Sequence, residues 1–148
     1  MICCDGKSWF YSMLLTICIA CCARPCVAEG ALAIGLPSDV ARHGVAIGWA
    51  VNYPNASEAQ KKALQLCSGY EAAGPPARQA CKIVDTFVKE CLAIAMDSEA
   101  GTDGIGWSVK SSIDKARSEA TAKCRATADP GRERLCKVES SCCDGKKC

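Results

Sequence analysis

Ile47-Gly48-Trp49, Glu58-Ala59-x3-Ala63-x3-Cys67 and Cys81-Lys82-Ile83 recur as Ile105-Gly106-Trp107, Lys115-Ala116-x3-Ala120-x3-Cys124 and Cys136-Lys137-Val138. A further match precedes them: Ala31-Leu32-Ala33-Ile34-Gly35-Leu36 aligns with Cys91-Leu92-Ala93-Ile94-Ala95-Met96. In chain order the separations are 60, 58, 57 and 55 residues, shrinking steadily as connecting loops shorten. Four matches in one order mark an internal duplication. The repeats cover about residues 30–90 and 91–143.

Each repeat reads strand, strand, helix, strand. Residues 31–36 and 45–51 are short apolar runs bounded by turn residues (Gly30, Pro37-Ser38-Asp39, Asn52, Pro54-Asn55), the mark of strands. The helix is expected to start at Ser57, with Gln60 completing an S-x-x-Q capping box. Ala59, Ala63, Leu64 and Cys67 then share one face, and Gly69 is expected to end the helix in a left-handed conformation. In the second repeat Ser111 or Ser112 starts the helix, whose buried face is Ile113, Ala116, Ala120 and Cys124. Pro130-Gly131 marks the loop after it. The third strand of the first repeat is Cys81–Val88, and Lys89-Glu90 is expected to turn it back as a hairpin into residues 91–96. Ala-rich helix faces permit close approach to a sheet. The expected class is α+β: a mainly antiparallel sheet with two helices on one face, stapled by disulfides.

The 148 residues fit one domain plus an appendage. Residues 9–22 (WFYSMLLTICIACC) carry no charge, follow the basic Lys7, and end at Arg24-Pro25. Cys26-Val27-Ala28 is a small-residue cleavage site, so residues 1–28 read as a secretory signal peptide. The run is shorter than the ~20 residues of a membrane span. An uncleaved anchor, or a lipoprotein attached at Cys21, is the alternative, and residues 29–148 form the expected domain. Beyond the signal remain eight of the 14 cysteines: Cys67, Cys81, Cys91, Cys124, Cys136, Cys142, Cys143 and Cys148. An even count in an exported chain reads as a disulfide framework. The simplest pairing joins Cys67 to Cys81 and Cys124 to Cys136, each tying a helix end to the following strand. Loops of that size contribute about 3 kcal/mol each. Cys91 then takes Cys142 or Cys143, and the other takes Cys148 across the Asp144-Gly145 turn.

Chemistry is harder to find. With 18 basic and 16 acidic residues the net charge is +2, too small for a nucleic-acid binder driven by phosphate neutralisation. His43, the single histidine, lies in the loop of residues 37–44, where a solvated role is the plain reading and a general base the sharper one. Asp85, Glu90, Asp97, Glu99 and Asp103 are candidate carboxylates, but no spacing selects a pair. Residues 97–103 lack the full calcium-loop pattern. Trp49 and Trp107 hold equivalent places, either as a paired platform for a ligand or as the large core residue of each repeat. Cys142-Cys143 beside Lys146 and Lys147 could be a reactive pair, although a bridge suits an oxidising compartment better. No catalytic residue, cofactor site or metal site is selected.

The set Gly30-Ala31-Leu32-Ala33, Gly48-Trp49, Ser57-Glu58-Ala59-x3-Ala63-Leu64-x2-Cys67, Cys81-Lys82-Ile83-Val84, Cys91-x-Ala93-x-Ala95, Gly106-Trp107, Ala116-x3-Ala120-x3-Cys124 and Cys136-Lys137-Val138 resembles the bacterial domain-of-unknown-function family 4189, found in small exported proteins. The resemblance spans about residues 30–143. It implies export, a duplicated α+β unit and structural disulfides, and the family's name assigns no activity. The expected function is a non-enzymatic interaction module whose partner is a protein or cell-envelope component. The alternatives are an enzyme or enzyme-regulating module using carboxylates or His43, and a thiol-redox or metal-binding protein using the C-terminal cysteines.

Overall fold

The computed structural model describes residues 29–99 and 102–148. The expected signal peptide of residues 1–28, with Cys21, lies outside them. The elements are β1 (Glu29–Gly35), α1 (Val40–His43), β2 (Ala46–Tyr53), α2 (Ala56–Ser68), α3 (Pro75–Gln79), β3 (Cys81–Val88), β4 (Cys91–Asp97), β5 (Ile105–Lys110), α4 (Ile113–Thr127) and β6 (Cys136–Cys143), with a 3-10 turn over Glu133–Leu135.

The α+β class, the duplicated unit and the antiparallel pairing are as expected. The strands, however, divide between two three-stranded sheets, ordered β2-β1-β3 and β5-β4-β6. They are not one sheet with both helices on one face. Each central strand is apolar on both faces, so each sheet must be covered twice. Its small side chains (Ala31 and Ala33 in β1, Ala93 and Ala95 in β4) pack under the helix of its own repeat. Its large ones (Leu32 and Ile34, Leu92 and Ile94) meet those of the other sheet, together with Val45, Phe87 and Ile105. The result is a helix–sheet–sheet–helix stack, in which size alternation along one strand sorts the layers.

Two local expectations change. Asn55 caps α2 in place of Ser57: its Oδ1 accepts from the Glu58 N–H at 2.9 Å, and its Nδ2 donates to Glu58 Oε1. Asn55 thus caps the helix two residues before Ser57 would, satisfying the orphan Glu58 N–H, while Glu58 returns a side-chain bond rather than one to the cap's backbone. Gly69 ends α2 at φ −90°, outside the left-handed region, with its N–H donating to Gln65 and Cys67 carbonyls. Ser112 caps α4.

Lys89-Glu90 is not a hairpin turn, because β3 pairs with β1 while β4 pairs with β5 and β6. The link carries the chain from one sheet to the other, and Lys89 turns it at φ +55°.

The repeats superpose with a slip in their first strand. Gly35 pairs with Cys81 and Asp97 pairs with Cys136, while Ala33 pairs with Gly48 and Ala95 with Gly106. Bulges fall after Leu32 and after Ile94, leaving Val84 and Glu139 unpaired. Ala31-Leu32-Ala33-Ile34 is therefore equivalent to Ala93-Ile94-Ala95-Met96, two residues beyond the sequence match. Alternating Ala and large apolar residues match themselves at a shift of two, which keeps every side chain on its face.

Candidate functional site

A cleft of about 800 Å³ lies where the outer strands β2 and β6 of the two sheets face each other. Trp49 and Ile47 line it from β2, Leu66 and Tyr70 from the end of α2, Ile94 from β4, and Glu139 from β6, with Glu71 at its edge. Gly48 points toward α2, so Trp49, next along the strand, points between the sheets. There it packs half-buried against the inter-sheet core while also lining the cleft. Glu139 is the unpaired bulge residue of β6, and a bulge is a device that re-aims a side chain out of the strand's alternation. Glu71 and Glu139 make no ion pair among the described residues.

A second cleft of about 560 Å³ shares Tyr70 and gathers Arg42, His43, Asp97, Glu99 and Thr102. The histidine and two carboxylates of the sequence reading therefore meet in one place. No hydrogen bond or ion pair joins His43 to either carboxylate among the described residues. Asp97 is buried and bound by Arg132, whose Nε donates to Oδ2 at 2.8 Å and Nη2 to Oδ1 at 3.0 Å. The Glu99 N–H adds a third bond at 3.0 Å, and the same guanidinium reaches the Glu99 carboxylate at 3.0 Å. His43 makes no side-chain hydrogen bond or ion pair among the described residues. Arg132 carries no motif that announces it, and only the fold brings it to Asp97.

Arg132 holds the Asp97 carboxyl below its ordinary range, through its hydrogen bonds first. A carboxylate with a lowered folded-state pKa contributes stability above its unfolded value, about 3.9, and loses it as pH falls through the folded value. Wild-type stability should therefore decline more steeply below about pH 4 than that of Asp97→Asn, when urea midpoints are compared between pH 2 and 6. Parallel pH profiles would refute the tether.

Asp85 and Glu90 join neither cleft, and Asp103 is exposed at the loop before β5. All eight cysteines among the described residues are bridged: Cys67–Cys81, Cys91–Cys143, Cys124–Cys136 and Cys142–Cys148. No free thiol remains among the described residues. No group of three or more metal-ligating side chains occurs among them either.

The tail has a role that its turn-like sequence did not disclose. Asp144 is buried, and its carboxylate accepts from the Asn52 N–H at 2.9 Å and the Lys89 N–H at 3.0 Å. Among the described residues these two are the non-glycine residues with positive φ, at +66° and +55°. Asn52 in turn accepts from the Gly145 N–H at 2.6 Å and donates to the Lys146 carbonyl at 2.9 Å. One side chain thus holds the exit of β2 and the crossing between the sheets. Asp144→Ala should cost about 1–3 kcal/mol in urea unfolding, since two strained backbone N–H groups lose their acceptor. An unchanged midpoint would show that water replaces the carboxylate.

These features define a class: a small, duplicated, disulfide-stapled α+β domain with an aromatic cleft between its halves. The chain belongs to the family described as Domain of unknown function (DUF4189), which matches residues 30–143. No curated protein and no solved structure matches the chain significantly.

Proposed function

We propose that this chain is an exported, non-enzymatic binding module, and that the cleft between β2 and β6 is its binding surface. The observation that carries the reading is Trp49. A half-buried aromatic shares with a second one, Tyr70, an open cavity of ligand size with apolar walls and only a few polar groups. Four disulfides suit an oxidising compartment outside the cytoplasm. Residues 1–28 have the layout of the signal that would take the chain there. Among the described residues no helix is long and apolar enough to cross a membrane. The partner class is a protein or cell-envelope component, and the low net charge gives no support to nucleic acid.

Export is tested by the intact mass of the cell-expressed protein after alkylation without reductant. The expected species begins at Glu29 and takes up no alkyl group. A lipid-modified species beginning at Cys21 would place the domain on an envelope surface. Binding is tested with a benzophenone at Leu66, 41% exposed beside the cleft. It should crosslink to a discrete product from the exported fraction, and Trp49→Ala should remove that product. Equal crosslinking from a benzophenone at the exposed Lys115, on α4, would sink the reading.

A further inference from the structure

Duplication explains why Trp49 has a counterpart in Trp107, but not what surrounds Trp49. In the other repeat the places of Leu66, Tyr70, Glu71 and Glu139 are taken by Lys123, Thr127, Ala128 and Val84. The second aromatic and both carboxylates are therefore present on one side only of a pseudo-symmetric molecule. Among the described residues no lysine, arginine or histidine lines this cleft. Two carboxylates without cationic partners, set beside two aromatic rings, make a site complementary to a positive charge on an apolar stem. The carboxylates attract the charge, and aromatic faces favour it further.

The backbone adds a second constraint. The cleft lies between β2 and β6, each an outer strand of its sheet. Outer strands present N–H and C=O groups that an extended chain can pair with. Resting on the binding reading above, we infer that the cleft takes an extended peptide segment of a partner. Its lysine or arginine side chain lies against Glu71 and Glu139, and its flanking apolar residues lie on Trp49 and Leu66. A free amine lacks the extended backbone; it and a second copy of this chain, whose outer strands carry Lys82 and Lys137, are outcomes of the test.

The test uses the full chain with its disulfides formed and three probes: acetyl-Thr-Val-Lys-Val-Thr-amide, the same peptide with norleucine for lysine, and n-butylamine. Binding is read from the indole N–H resonances of Trp49 and Trp107. The lysine peptide should shift Trp49 and spare Trp107, and bind about tenfold more tightly than the norleucine peptide, the ratio set by a desolvated cation over an aromatic. Glu71→Gln with Glu139→Gln should abolish that preference; both residues are exposed, so the variant should fold. Equal binding of both peptides at Trp49 would overturn the charge assignment while leaving the cleft as a binding surface. Butylamine binding as tightly as the lysine peptide would overturn the strand assignment. Shifts at Trp49 that grow with protein concentration alone would assign the cleft to a second copy instead. No shift at Trp49 with any probe would overturn the inference, and the Leu66 crosslink separately decides the reading beneath it.

Discussion

Gly48→Ala and Gly106→Ala should each destabilise the protein by about 3 kcal/mol or more, in urea or thermal unfolding. A Cβ at Gly48 would overlap the Ala63 carbonyl oxygen and the Cys67 backbone nitrogen; one at Gly106 would overlap the same atoms of Ala120 and Cys124. The obstacle is helix backbone, which cannot rotate aside as a side chain can. Each helix meets its sheet through Ala59, Ala63 and Cys67, or Ala116, Ala120 and Cys124, all fully buried. That close approach leaves no slack for a methyl group, and lifting the helix would open the contact along its whole length. The two variants should resemble each other in cost, because the repeats use the same contact. A loss below about 1 kcal/mol at both sites would mean that the helices do not sit this close.

Removing the bridges pairwise should rank them by the chain each one closes. The loops span 52 residues for Cys91–Cys143, 14 for Cys67–Cys81, 12 for Cys124–Cys136 and 6 for Cys142–Cys148. Loop entropy then gives about 4 kcal/mol for the first, about 3 for each of the next two, and about 2 for the last. Cys67 and Cys124 are also fully buried, so their alanine pairs should lose packing besides. Full reduction should therefore unfold the domain, since small domains have only about 5–15 kcal/mol of net stability. The measurement is the urea midpoint of each double-alanine variant, with near-ultraviolet circular dichroism before and after reduction. A reduced chain that keeps its near-ultraviolet signal would show that packing alone suffices. It would also remove the main physical argument for an oxidising compartment.

The candidate site was less legible than the fold, for a physical reason. Trp49 was visible because duplication repeats it. Tyr70, Glu71 and Glu139 were not, since their meeting depends on how two sheets stack rather than on any spacing along the chain. Glu139 could be flagged only by the bulge in β6, and a bulge is a fact of pairing. Arg132 and Asp144 were hidden in the same way: each acts across more than thirty residues of chain, on Asp97 and on the N–H groups of Asn52 and Lys89. Residue type alone marks His43 and the acidic residues as candidates. The fold brought His43, Asp97 and Glu99 to one cleft but gave the Asp97 oxygens to Arg132.

The sequence by itself determined the duplication, the kind and order of the main elements, the helix faces that are buried, and the cysteines at helix ends and strand starts. These follow from short-range rules, which need only periodicity, caps and turn residues. Tertiary structure alone decided that there are two sheets rather than one, because a period-two pattern cannot say what covers a strand's second face. It also set the two-residue slip between the repeats, since alternating residues match themselves at that shift. And it chose Cys143 as the partner of Cys91, because β4 and β6 pair with those residues opposite each other. The cleft belongs to the same category: its walls come from both halves of the chain and exist only once the sheets are stacked.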